Sequence, residues 1–190
     1  MSRYYPEKID GLLRSSDHAG SPDSFDCAGT AASLDCGVRV RIFVSIAGED
    51  RLESLRFVSN GCGYAVAAAE ALCRWADGSK LQDLHGLALL EETVTRTLGE
   101  IPSSRRNCTA LAIEAFQKAL AELRDRRVAK WNGDTALICS CFGVSEETIE
   151  EIVRSGSALT VEAVGDACNA GTGCGSCQML IGEIVESTER

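Results

Sequence analysis

With 190 residues, 45% of them hydrophobic and 25% charged, the chain is long enough for one good core or two small ones. No apolar run approaches the roughly eighteen residues of a membrane span, and the opening MSRYYPEKID lacks the apolar stretch of a secretion signal, so neither membrane insertion nor export is expected and the cytoplasm is the expected compartment. A net charge of -9 argues against nucleic acid as a partner, and ten cysteines in a reducing compartment point to metal or redox chemistry rather than a disulfide framework.

The N-terminal stretch is rich in Ser, Gly and Asp and reads as loop, which leaves Cys27 without an assigned role. Val38 to Ile46 alternates β-branched residues with others, the pattern of a half-buried strand. Leu52 to Val58 returns antiparallel after a turn at Gly48-Glu49-Asp50. Cys36 precedes the first strand and Cys62 follows the second, so their thiols should meet at the open end of the hairpin. Asn60-Gly61-Cys62-Gly63 then opens a helix from Tyr64 to Trp75, closed by Asp77-Gly78. A cysteine at a helix N-terminus favours its thiolate, because unpaired N–H groups and the macrodipole stabilise the negative charge.

Asn107-Cys108 repeats that device before a helix with Ile113, Phe116, Leu120 and Leu123 as apolar positions and Arg124, Arg126 and Arg127 at its end. Cys36, Cys62 and Cys108 thus describe an open metal site without an obvious fourth ligand. The competing reading makes each of them a small buried hydrophobe. Cys73, inside its helix on a face with Val66 and Ala69, fits that second role, and His18 and His85, which lack ligand spacing, are read as surface or structural residues.

Charge then changes abruptly. Residues 1–130 carry 17 basic and 18 acidic side chains, whereas residues 131–190 carry 2 and 10. Between Arg126 and Asp134 a helical pattern gives way to the polar turn Asn132-Gly133-Asp134, which sets a domain boundary at 130/131.

In the second domain, Cys139-Ser140-Cys141 is followed after 32 residues by Cys174-Gly175-Ser176-Cys177. Each close pair can clamp one edge of a tetrathiolate centre, and such a soft site accepts either zinc or a [2Fe-2S] cluster. The run from Gly171 to Ser176 exposes N–H groups that can bond to sulfur, which favours the cluster. Ser145 reads as an N-cap, with Glu146 and Glu147 in the first turn and Gly156 past the end, and Thr160 caps another short helix. A last helix starts near Gln178, with Met179, Leu180, Ile181, Ile184 and Val185 as its apolar positions. Cys168 lies outside the pattern and is read as structural.

From about Tyr5 to Arg127 the chain resembles the IscU-like scaffold domain that forms the N-terminal part of NifU. Tyr5-Pro6-Glu7-Lys8-Ile9 is similar to the family's opening helix, and Leu34-Asp35-Cys36-Gly37, Asn60-Gly61-Cys62-Gly63-Tyr64-Ala65 and Arg106-Asn107-Cys108-Thr109-Ala110-Leu111-Ala112 to its three cysteine motifs. Three departures stand out. Val38 occupies the position of a family Asp associated with cluster release, Asn107 that of a His, and Ile101-Pro102-Ser103-Ser104-Arg105 that of a chaperone-binding Leu-Pro-Pro stretch. From Ala136 to about Val185 the chain resembles the bacterioferritin-associated-ferredoxin-like (BFD-like) [2Fe-2S] domain, the central domain of NifU, with all four ligand positions filled. No counterpart of that family's third module, a C-terminal CxxC domain, follows before Arg190, so a shortened architecture is expected.

The resemblance implies an α+β protein: a scaffold domain (1–130) with a small antiparallel sheet packed by helices, then a small all-α [2Fe-2S]-binding domain (131–190). It further implies a non-enzymatic scaffold, holding a transient [2Fe-2S] cluster on Cys36, Cys62 and Cys108 and a permanent one on Cys139, Cys141, Cys174 and Cys177. Iron is the metal, with zinc a further candidate for the N-terminal site. A cysteine desulfurase would supply sulfur, apo-iron-sulfur proteins would accept clusters, and scaffolds of this class often form homodimers. Two alternatives remain open: a [2Fe-2S] electron-transfer protein with a degenerate scaffold domain, and zinc-dependent sulfur transfer of the SufU type, in which Asp35 would have to replace the Asp missing at position 38.

Overall fold

Alternation of apolar and polar residues decides the sheet. β2 (Arg39–Ala47) buries Val40, Ile42 and Val44 while Arg39 and Arg41 stay exposed, and β3 (Arg51–Ser59) buries Leu52, Leu55 and Phe57. The two pair antiparallel, with Val40 opposite Ser59 and Ala47 opposite Arg51, and the register shifts between Ser45 and Ile46. This computed structural model describes residues 4–48, 51–84, 87–131, 133 and 135–188, so Glu49 and Asp50 of the expected turn, and likewise His85, Asn132 and Asp134, lie outside the described residues.

A third strand, β1 (Cys27–Ala32), lies along the other edge of β2, with Cys27 opposite Val44 and Ala32 opposite Arg39. The loop expected around Cys27 is therefore corrected to a strand, and Cys27 is buried in the core. Its residues Cys-Ala-Gly-Thr-Ala-Ala have little intrinsic preference for a strand; what they offer is smallness. A Cβ added at Gly29 would lie 2.0 Å from the Ala115 carbonyl oxygen and 2.3 Å from the Ala119 nitrogen, both on α4 (Arg106–Ala129). The Ala28 N–H donates to the Glu122 carboxylate on the same helix at 2.7 Å. Gly29→Ala must push strand and helix apart, and a loss of about 2–3 kcal/mol is expected as a lower urea midpoint with an unchanged m-value.

α1 (Glu7–Arg14) buries Ile9 and Leu12, and α2 (Gly63–Ala76) is buried almost all round through Ala65, Ala67, Ala68, Ala69, Ala71, Leu72 and Cys73. α2 is the central helix, packed by α1, by β3 and by α3 (Leu87–Leu98), an element the sequence reading did not anticipate. Within it Leu90, Val94 and Leu98 form the buried stripe. Glu70, on the hidden side of α2, has no exposed surface and accepts from the His18 N–H at 3.2 Å and the Arg74 Nε at 2.6 Å, with His18 Nδ1 at 3.0 Å. His18 is thus a structural residue.

The chain divides into two compact units between Leu123 and Arg124, within α4. The second unit is helical, with α5 (Glu146–Arg154), α6 (Val161–Cys168) and α7 (Gln178–Thr188), and it also holds a short antiparallel pair, β4 (Leu137–Cys139) and β5 (Val144–Ser145). Ser145 accepts from the Thr148 N–H at 3.3 Å and Thr160 from the Ala163 N–H at 3.2 Å, the two expected N-caps. α7 buries Ile181, Ile184 and Val185, but Met179 and Leu180 point outward, correcting their expected place on the apolar face. No described helix is long and apolar enough to cross a membrane.

Candidate functional site

Cys36 and Cys62 sit on two loops at one end of the sheet, and Cys108 in the first turn of α4. Cys36 sits in the connection from β1 to β2, which the Ser33 N–H closes onto the Val38 carbonyl at 2.8 Å and the Gly37 N–H onto the Ser33 carbonyl at 2.9 Å. Its thiol is exposed, and the Ser33 hydroxyl, followed by the Val38 backbone, holds its pKa below the ordinary thiol value. Asp35 and Asn107 line one cavity of about 420 Å³, so the Cys36 loop and the start of α4 face each other.

Asn60 ties the Cys36 loop to the Cys62 loop. Its amide donates to the Gly37 carbonyl at 3.1 Å and its carbonyl oxygen accepts from the Arg39 N–H at 2.6 Å. Glycine is required next to it, because a Cβ at Gly61 would come within 2.9 Å of Val38 Cγ1 and 2.8 Å of Ala65 Cβ. Val38, which stands where the family resemblance leads one to expect an Asp, thus packs against the turn that carries Cys62.

Cys62 is the N-cap of α2, and the phenol oxygen of Tyr5 accepts from the Gly63 N–H at 3.0 Å. Burial opposes ionisation of Cys62, but the nearby Ala65 and Tyr64 N–H groups, the Cys108 thiol and Arg105 together lower its pKa. These N–H groups lie close enough to favour the thiolate without making a full capping bond.

Cys108 touches Cys62 and receives a hydrogen bond from Arg105, yet its pKa is raised, by burial first and then by Cys62 itself. Cys108 is therefore not the second helix-start thiolate expected from the sequence. α4 begins at Arg106, so Cys108 lies inside its first turn, and two adjacent thiols cannot both ionise cheaply. The structure therefore brings Cys62 and Cys108 into direct contact, while the interactions of the Cys36 thiol stay within its own loop.

In the second unit, Cys139 ends β4 and Cys177 immediately precedes α7, both buried, whereas Cys174 is exposed and Cys141 half-buried. The Cys141 and Cys174 sulfurs are 3.5 Å apart, and the Cys139 and Cys177 thiols are also in hydrogen-bond contact. Each contact joins one cysteine of the CxC pair to one of the CxxC pair, and all four line a single cavity of about 220 Å³ with Ile138 and Leu180. Gly173 makes this approach feasible: a Cβ there would lie 3.1 Å from Cys141 Cβ and 3.2 Å from its sulfur.

Without a cation Cys141 and Cys177 resist ionisation. Burial and then the Cys139 thiol push Cys177 up to about 11, and burial raises Cys141 as well. Cys174 is lowered, by the Ser176 hydroxyl first. Among the described residues no three His, Cys, Asp or Glu side chains converge closely enough to hold a single metal ion. Two contacting thiol pairs around one cavity, with a glycine cradle against Cys141, fit a cluster whose two irons each take two thiolates.

Of the remaining cysteines, Cys73 is buried inside α2 with its pKa raised by burial, and Cys168 is half-buried with its thiol donating to the Val164 carbonyl at 3.2 Å. Sequence reasoning missed Tyr5, Asn60 and Arg105 as partners of the cysteine loops. None of the three has a local signature, since each acts through a contact distant in sequence or around a turn.

Residues 4–130 match the NifU-like N terminal domain family, which is more than half of the chain. The chain belongs to that family. Residues 137–187 match the BFD-like [2Fe-2S] binding domain. The chain thus combines a NifU-like N-terminal domain with a BFD-like [2Fe-2S] binding domain. The chain is 29% identical over 192 residues to the nitrogen fixation protein NifU of Nostoc sp., a match that covers 100% of this chain and 62% of that relative. It is 27% identical over 129 residues to the iron-sulfur cluster assembly scaffold protein IscU of Escherichia coli, covering 66% of this chain and 98% of that one. The crystal structure of a nitrogen-fixing NifU-like protein (N-terminal) from Brucella abortus superposes with a TM-score of 0.48 at 13% identity, over 64% of this chain and 94% of that one.

Proposed function

We propose that this member of the NifU-like family builds a transient [2Fe-2S] cluster on Cys36, Cys62 and Cys108, passes it to apo-iron-sulfur proteins, and keeps a second, permanent [2Fe-2S] cluster on Cys139, Cys141, Cys174 and Cys177. The domains would be 1–130 and 131–190. The observation that carries this reading is the contrast between two thiol centres. At the first, Cys36 is exposed on a loop and its thiol, like that of Cys62, is shifted toward the reactive thiolate. At the second, Cys139 and Cys177 are buried and the four thiols surround one cavity.

In this scheme the exposed Cys36 thiolate attacks the outer sulfur of a desulfurase persulfide and the desulfurase thiolate leaves. An external thiol or electron donor reduces that sulfur to sulfide, and Arg105 offsets negative charge at Cys62 and Cys108 as iron and sulfide accumulate. The chain acts as a carrier whose cargo leaves, not as a catalyst of an organic reaction. The group held in the second unit, when bound, supplies one-electron storage for assembly or release. A cytoplasmic location, where thiols stay reduced, suits this cysteine chemistry.

The test is iron, zinc and acid-labile sulfide per chain in anaerobically purified protein, before and after supply of iron, cysteine and a desulfurase. About two irons at the start, with a chelator-sensitive rise after supply, is the expected result. A constant count would leave an electron carrier with a degenerate scaffold domain, the reading that Val38 favours. Zinc at Cys36, Cys62 and Cys108 would instead point to sulfur transfer of the SufU type.

A further inference from the structure

We propose that the outward face of α7 is a docking surface for a small one-electron carrier whose redox group is exposed within a ring of Lys and Arg. The proposal rests on the reading that Cys139, Cys141, Cys174 and Cys177 hold a [2Fe-2S] cluster. α7 starts one residue after Cys177, so its first turn stands at the mouth of the four-cysteine cavity, and Leu180 lines that cavity itself. The burial of Ile181, Ile184 and Val185 turns the opposite face to solvent. There Met179 is 75% exposed, and on the flank of that face Leu180, 44% exposed, shares the cavity with the exposed Cys174.

Single exposed apolar residues are ordinary, but two consecutive ones beside a redox site are a patch in a specific place. Met is favoured at interfaces because its unbranched chain adapts to the surface it meets. From Met179 the spacing i, i+4, i+7 continues to Glu183 and Glu186, both exposed, so the apolar pair runs directly into carboxylates. Residues 131–190 hold 10 acidic and 2 basic side chains and no lysine, a field that attracts a basic partner from a distance and repels an acidic protein or an anionic membrane. Long-range attraction would orient the carrier, and burial of Met179 and Leu180 would then seat it over the cysteines. One electron leaves the reduced cluster and enters the carrier's oxidised centre, with no proton or group transferred.

Ferricytochrome c, a basic protein with a lysine-ringed haem edge, serves as the probe. The full chain, reduced and freed of excess reductant, is mixed with it in a stopped-flow instrument and haem reduction is followed. At about 10 mM ionic strength the second-order rate should exceed that at about 0.5 M salt by roughly tenfold or more. The combined Met179→Ala, Glu183→Lys, Glu186→Lys variant should lower the low-salt rate about tenfold. The variant Glu147→Lys, Glu151→Lys makes the same charge change at exposed positions of α5 that do not line the cavity, and should lower it by less than about threefold. Oxidation by ferricyanide, a small anion, should be no slower in either variant than in the unaltered chain. Equal slowing by both variants, or by neither, overturns the proposal while leaving the cluster reading intact. Absence of [2Fe-2S] absorption, or no electron passed to ferricyanide, instead overturns the reading of the four cysteines and this proposal with it.

Discussion

Cys177→Ser is expected to abolish the [2Fe-2S] absorption of the purified chain and to remove about two irons and two sulfides, whereas Cys168→Ser leaves both unchanged. Cys177 is buried against Cys139 and lines the four-cysteine cavity, while Cys168 is bonded to the Val164 carbonyl and does not line it. Serine is nearly isosteric but gives up the soft sulfur donor, so the substitution isolates metal binding from packing. A group that binds only the folded state at about a thousand times its dissociation constant adds about 4 kcal/mol, so the second unit of the variant should also unfold at lower urea. Visible spectroscopy, metal analysis and a urea titration check the three parts separately. Retention of full iron with altered absorption would mean that another residue has taken the place of Cys177.

Cys62→Ser should leave that absorption intact and reduce desulfurase-dependent cluster transfer to an apo-ferredoxin by at least about a hundredfold. Cys62 is where the interactions of the first centre converge: the start of α2, Arg105, the Cys108 thiol, and the turn shaped by Tyr5, Asn60 and Gly61. Asn60→Ala keeps every thiol and removes only the tie between Asn60 and the backbone of Gly37 and Arg39, so a smaller loss, about tenfold, is expected from loosened positioning. The check is the rate at which apo-ferredoxin gains its visible band when the scaffold, iron, cysteine and desulfurase are supplied together. Transfer at the unaltered rate by the Cys62 variant would remove this centre from the assembly reaction.

Much of the architecture was legible along the chain because its causes are local. β2 and β3 alternate buried and exposed positions, α5 and α6 carry Ser145 and Thr160 as caps, and CxC followed by CxxC is a pattern that few structural roles explain. Each of these signals lies within a few residues of the element it specifies, so neighbouring side chains and backbone hydrogen bonds are enough to produce it. The same holds for Cys62, whose lowered pKa follows in part from its place at the start of α2.

Tertiary structure decided the rest. β1 has no strand signature; its small residues are extended because β2 leaves an edge to pair with and α4 comes within contact of Gly29. Cys108 looked equivalent to Cys62, yet burial and then its contact with Cys62 raise its pKa, while backbone N–H groups and the hydrogen bond with Cys108 lower that of Cys62 against burial, an asymmetry that spacing cannot express. Met179 and Leu180 read as core and are surface, because the rotation of α7 is set by where Ile181, Ile184 and Val185 pack. The sequence by itself determined which cysteines are candidates for the two centres and the hairpin and helices that flank them; the pairing of Cys141 with Cys174, of Cys139 with Cys177 and of Cys62 with Cys108 required segments distant in sequence to pack together, and only the folded chain does that.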